Sequence, residues 1–206
     1  DGRSEAHATE DSDAPEASTP DSTPDQATEP ANPPPAKGSG SKPVNAAGLK
    51  LAVQLLENND AAGAALAAYA LPDRIDIKIV DWLIATGTYP GVTSTSLNGL
   101  RQKLADWPAQ SLMKLRYEQA VAREKPAPAD AIRALGDRKP ASDDATLLLA
   151  RSYVAVGRSD DAAKLIRAFW RDGDFSEGIE NAIVRDFSGL LRPADHTARM
   201  DRLLYD

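Results

Sequence analysis

The chain of 206 residues contains no cysteine, so disulfide bridges and thiolate metal sites are excluded and thiol usage says nothing about compartment. Histidine is nearly absent too. His7 and His196 stand at opposite ends of the sequence, without companions at metal-ligand spacing. His196, beside Asp195, therefore reads as a surface histidine near a helix start rather than a zinc ligand or a hydrolase base. No HExxH, Gly-rich phosphate loop or GxSxG occurs. Basic charge is not in excess. The formal net charge of -7 argues against a general nucleic-acid binder, which carries a basic patch. Long apolar runs are missing as well: none approaches the roughly 18 residues of a membrane span. No signal peptide is visible. The chain opens on Asp1, which suggests a processed product or a cut piece whose export signal has been removed.

What is present divides at about residue 44. Residues 1–44 hold almost no Leu, Ile, Phe, Trp or Tyr and are rich in Pro, Ser, Thr, Ala and acid. They end in Pro33-Pro34-Pro35 and the Gly38-Ser39-Gly40-Ser41 joint. Most of the chain's negative charge lies here, so residues 45–206 are nearly neutral. Such a segment buries too little apolar surface to offset its ordering entropy. A disordered acidic tail with a flexible joint is expected, serving as a solvating tail or a spacer.

From Asn45 onward the periodicity is helical. Thr146 to Asp172 reads as two helices folded back on each other. Leu149, Ala150, Tyr153 and Val154 form the apolar face of the first, and Gly157 stops it in the left-handed conformation. Ser159 is expected to cap the second, with Asp160 and Asp161 in its first turn and Ala162, Ile166 and Phe169 on its apolar face. This spacing resembles a tetratricopeptide-type hairpin, which needs stacked neighbours to bury its face.

Leu49, Val53 and Leu56 mark an earlier helix, and Asp60 caps the next, Ala61 to Leu71, closed by Pro72. Residues 73–87 are ambiguous. Ile75, Ile77 and Ile79 alternate as in a strand, while Ile75, Ile79, Trp82, Leu83 and Thr86 follow helical spacing. A lone strand would lack a partner, so helix is expected. Further helices follow, carrying Leu97, Leu100 and Leu104; then Leu112, Leu115 and Val121, with Pro108 in the first turn; then Ala129 to Leu135, ended by Gly136. Ile179, Ile183, Phe187 and Leu190 define another, and Pro193 opens a last one whose apolar residues are Met200, Leu203 and Leu204. The expected fold is all-α: a right-handed superhelix of stacked helical hairpins over 45–206. The sequence stops after an apolar Leu-Leu-Tyr, where a solenoid normally carries a polar cap, so a cut through a longer array is expected.

Few residues suggest chemistry. Glu118, next to Tyr117, is the acid that best fits a glycosidase, but Arg116 and Arg123 are close in sequence and an ion pair between helices is the ordinary reading. Trp82, Trp107 and Trp170 have faces that stack on sugars, yet each occupies an apolar helical position or a helix boundary, which favours core packing. Arg199 and Arg202 suit phosphate or carboxylate, with salt bridges or solvated surface the simpler alternative. No catalytic, cofactor-binding or metal-binding residue is assigned.

Five segments carry a more specific signal in their order. Leu71-Pro72-Asp73 is followed by DWLIATG (81–87), then by LADWPAQSLMKLRYEQAVARE (104–124), LLLARSYVAVGRSDDAAKLIRAFWR (147–171) and ADHTARMDRLLYD (194–206). From Leu49 to Asp206 the chain resembles the N-terminal helical region of soluble lytic murein transglycosylases of the alphaproteobacterial type. The resemblance implies a superhelix that precedes a lysozyme-like domain. That domain cleaves the MurNAc–GlcNAc β-1,4 bond of peptidoglycan, with one glutamate as acid and then base, and leaves a 1,6-anhydro end. It also implies a periplasmic location, with glycan strands reached through the parent enzyme and envelope proteins as further partners. The family's Glu-Ser catalytic segment has no counterpart here, so no acid of this chain inherits the role. A non-catalytic scaffold is expected. A stand-alone adaptor that binds a protein or peptide is the alternative, and a glycosidase built on Glu118 a remote third.

Overall fold

The computed structural model describes residues 46–205; the acidic tail and His7 lie outside the described residues. The packing divides the chain into two units, Asp1–Ser41 and Lys42–Asp206. Within the second, the described residues are all-α and contain no strand. Ten helices run α1 Ala46–Glu57, α2 Ala61–Tyr69, α3 Arg74–Thr86, α4 Ser94–Lys103, α5 Gln110–Glu124, α6 Pro128–Leu135, α7 Asp143–Ala155, α8 Ser159–Asp172, α9 Glu177–Phe187 and α10 Pro193–Tyr205. A 3-10 turn, Ser188–Leu190, follows α9.

Two helical pairs are joined by the same turn. After α1, Asn59 takes a left-handed φ of 61°; its N–H donates to the Leu56 carbonyl and that of Asp60 to the Leu55 carbonyl. After α7, Gly157 has φ 82°; its N–H donates to the Val154 carbonyl and that of Arg158 to the Tyr153 carbonyl. Both are Schellman motifs, which satisfy the orphan carbonyls of the helix end and reverse the chain within three residues. The cap foreseen at Asp60 is present, and Thr93 and Ser142 cap α4 and α7 likewise: each side chain accepts a hydrogen bond from a backbone N–H three residues on.

The 73–87 segment is helical, with Asp73 as cap, accepting from the Ile75 N–H at 2.8 Å. Its buried face is not the one the isoleucines suggested. Ile75 is 62% exposed, whereas Asp76, Val80, Asp81, Ile84 and Ala85 are buried. Asp76 stands in the first turn, where the helix dipole favours its charge. Four other details differ from expectation. Helix α2 ends at Tyr69, and Leu71 enters the core from beyond it. Pro108 lies outside α5 because Ala109 is left-handed, which turns the Pro108 carbonyl to accept from Trp82 Nε1 at 3.0 Å. Ser159 is the first helical residue rather than the cap and makes no capping bond. Val154, expected on the buried face of α7, is 45% exposed.

Each helix from α1 to α8 packs on the next, and the odd helices also touch in series: α1 on α3, α3 on α5, α5 on α7, α7 on α9. Helix α10 packs on α8, and no described helix touches one more than two places along. The core follows this order as separate clusters. One is built by α1–α3 around Ala52, Leu56, Ala64 and Val80, one around Ala85, Leu104 and Met113, one across α7–α9 and one across α6–α8.

Candidate functional site

Helices α2 and α4 both rest on α3 but do not touch each other. Between them lies a cleft of about 650 Å³, within the range of ligand sites. Its walls are small: Ala62 and Ala65 on α2, Ser96 and Gly99 on α4. Ile84 of α3 and Leu100 of α4 give apolar surface below them. Asn59, Asp60, Thr95, Asp81 and Lys103 add polar groups. Asp81 is 8% exposed, and Lys103 Nζ lies 2.5 Å from its Oδ2, an ion pair by distance without the alignment of a hydrogen bond. Leu66 and Tyr69 stand about three-quarters exposed on α2, with Tyr69 at the edge of the cleft. No single line of sequence marks this site. It exists because alanine-rich α2 and serine- and glycine-bearing α4 leave space over α3.

The residues singled out in the sequence are not brought together here. Glu118 is 2% exposed, and its partners are not Arg116 and Arg123. Its Oε2 accepts from the backbone N–H of Ala141 at 2.7 Å and of Ser142 at 3.1 Å, at the N-terminus of α7, and Lys114 Nζ lies 3.5 Å from Oε1. The carboxylate satisfies two loop donors and faces the positive end of a helix dipole. Arg116 donates instead to the Thr86 carbonyl and to Gln119 Oε1, and Arg123 to the Val92 carbonyl, so both pin α5 to the ends of α3 and the following loop.

The tryptophans pack as expected. Trp82 and Trp107 lie against Ala85, Leu104 and Met113; Trp170 is 4% exposed beside Ile166 and Phe169. His196 is exposed, its ring edge-on to Trp170 at 5.3 Å.

Arg199 and Arg202 make the salt bridges expected of them, to Glu180 at 3.4 Å and to Asp174 at 3.5 Å, and are engaged further. Arg199 is 6% exposed, its guanidinium 4.6 Å from the Trp170 ring centroid and 4.8 Å from that of Phe175. It donates to the carbonyls of Trp170 and Gly173, and Arg202 to those of Arg171 and Gly173. These are the unpaired carbonyls at the C-terminal end of α8, where the dipole favours a cation. Asp195 joins the same face, with Arg167 and Arg171 nitrogens 3.7 and 3.8 Å from its carboxylate. The signal was in the spacing: 195, 199 and 202 form one helical stripe. Helix α10 therefore docks by its polar stripe. Met200, Leu203, Leu204 and Tyr205 face outward, each more than half exposed.

Arg151 links α7 to α9 through Asp186, its Nε at 2.8 Å and Nη2 at 2.6 Å from Oδ2. Hydrogen bonds from Arg185 first, and from Arg151, hold the Asp186 carboxyl below the ordinary carboxylate range.

Among the described residues no group of His, Cys, Asp or Glu is arranged to hold a metal ion, and no helix is long and apolar enough to cross a membrane. No protein-family profile, curated protein or solved structure matches the chain.

Proposed function

We propose that residues 45–206 act as a helical scaffold of the superhelical, tetratricopeptide-like kind. One observation carries this: every described helix packs only on helices one or two places along, which is how stacked hairpins build a solenoid. The two matching Schellman turns support it as well. The right hand of the superhelix follows from the resemblance. On the five ordered sequence segments we further propose that the scaffold is that of a periplasmic lytic murein transglycosylase. Its task is to position glycan strands or envelope proteins for a catalytic domain. Glu118 fits this reading, because both its oxygens are engaged in holding α7. Purified chain incubated with peptidoglycan sacculi should release no 1,6-anhydro muropeptides and should co-sediment with the sacculi. Release by this chain would overturn the non-catalytic reading, and absence of co-sedimentation would count against glycan positioning.

The α2–α3–α4 cleft favours a second reading, an adaptor that holds a protein or peptide segment. Affinity capture from envelope extracts that survives glycan digestion, but is lost when the cleft is filled, would place this reading first.

A further inference from the structure

Where α5 packs on α7 there is a further cleft, of about 500 Å³, whose opposite charges do not meet. One stripe of each helix lines it: Gln119 and Arg123 of α5, with Lys125 just past its end, and Asp144, Leu148 and Arg151 of α7. Arg151 is already spent on Asp186. Among the described residues, however, Arg123 and Lys125 form no salt bridge, and neither does Asp144. The backbone fixes where these three groups start. Lys125 has a left-handed φ of 48°, and its N–H donates to the Val121 carbonyl to close α5. Arg123 Nη2 is tied to the Val92 carbonyl at 2.7 Å, which leaves Nε and Nη1 to donate elsewhere. Asp144 stands in the first turn of α7, where the helix dipole favours its ionised form. Gln119 Oε1 accepts from Arg116 Nη1 at 3.0 Å, so its Nε2 is a further donor.

We propose that this cleft binds a short peptide carrying a free terminal carboxylate and a cationic group. The carboxylate lies on Arg123, Lys125 and the Gln119 amide, and the cation lies on Asp144. Ala122 and Leu148, both half-buried, give the apolar surface between them. The charges select this class. A guanidinium, an ammonium and an amide on one wall match the acceptor oxygens of a carboxylate. An inorganic anion would leave Asp144 without a partner, and the second charge of a phosphate would be repelled by it. The volume is that of a small-ligand site. Arg123, Lys125 and Asp144 are exposed, so each contact is screened and the affinity is weak, with Kd on the order of 1 mM. The inference concerns neither the α2–α4 cleft nor the glycan reading and requires neither.

Amide chemical-shift titration of the isotopically labelled full chain tests it. The probes are acetyl-Lys-Ala with a free carboxylate, its C-terminal amide, acetyl-Leu-Ala and inorganic phosphate. Acetyl-Lys-Ala should shift amides of the 119–125 and 144–151 segments. The amide should bind about tenfold more weakly or worse, and acetyl-Leu-Ala about threefold more weakly. Lys125→Asn removes the charge with a residue that accepts the left-handed turn, and should weaken acetyl-Lys-Ala about fivefold. Asp144→Asn should erase the preference for the lysyl over the leucyl peptide. Both variants are compared at unchanged circular dichroism. Absence of shifts up to about 20 mM peptide overturns the proposal, as do shifts confined to other segments. Equal binding of the C-terminal amide overturns it too, and so does binding by either variant that matches the unsubstituted chain. Phosphate binding as tightly as the peptide would show a general anion site and overturn the peptide assignment.

Discussion

Glu118 shows how a buried carboxylate can be suggestive in sequence and structural in place. A charge buried to this degree is retained only where its oxygens are paired, and here two backbone N–H groups and Lys114 do so. Removing the side chain leaves the Ala141 and Ser142 donors unpaired beside a cavity. Glu118→Ala is expected to cost about 2–4 kcal/mol, measured as a fall in the urea midpoint at unchanged slope. Glu118→Gln keeps an acceptor oxygen and should lose less than half of that. A variant pair of equal stability would remove Glu118 from this role. Sequence alone pointed to Arg116 and Arg123 as partners because they are near in number. On α5 they turn instead toward carbonyls of Thr86 and Val92.

At the scale of elements, helix existence was legible and the buried face less so. The choice of helix for 73–87 rested on the absence of a partner strand, and α3 is helical. Its hydrophobic pattern misled on the face, because Ile75 sits in the first turn before α3 meets its neighbours, while Asp76 and Asp81 lie on the packed side. The cap at Asp60 was readable because a short polar side chain before an apolar run has one local task. Ser159 was misassigned because the Schellman turn at Gly157 places Arg158, not Ser159, at the cap position. The docking face of α10 was missed for a different reason. In sequence its apolar residues were marked and its polar stripe was left unused, whereas the orphan carbonyls of α8 draw arginines inward. The α2–α4 cleft had no local signature at all, since it depends on three helices at once. The left-handed turns yield a direct test. Gly157→Ala puts a side chain at φ 82° and should destabilise by about 1 kcal/mol. Asn59→Gly, at φ 61°, should be neutral or slightly stabilising by thermal melting.

For the whole molecule, packing limited to near neighbours makes stability regional. Arg199 joins α10 to α8 by two carbonyl bonds and two aromatic contacts, and reaches Glu180 at 3.4 Å. Arg199→Ala should therefore speed amide hydrogen exchange in Pro193–Tyr205 and at the end of α8 by tenfold or more, while α1–α3 keep their protection. Uniform acceleration along the chain would show instead that the helices unfold as one unit.

The order in which the helices touch also bears on synthesis. Because α1, among the described helices, meets only α2 and α3, its packing on other helices is complete once α3 has left the ribosome, and each later helix adds to surfaces already made. Loop closure stays short at every step, so the chain can fold as it is translated, without waiting for a distant segment to close its core.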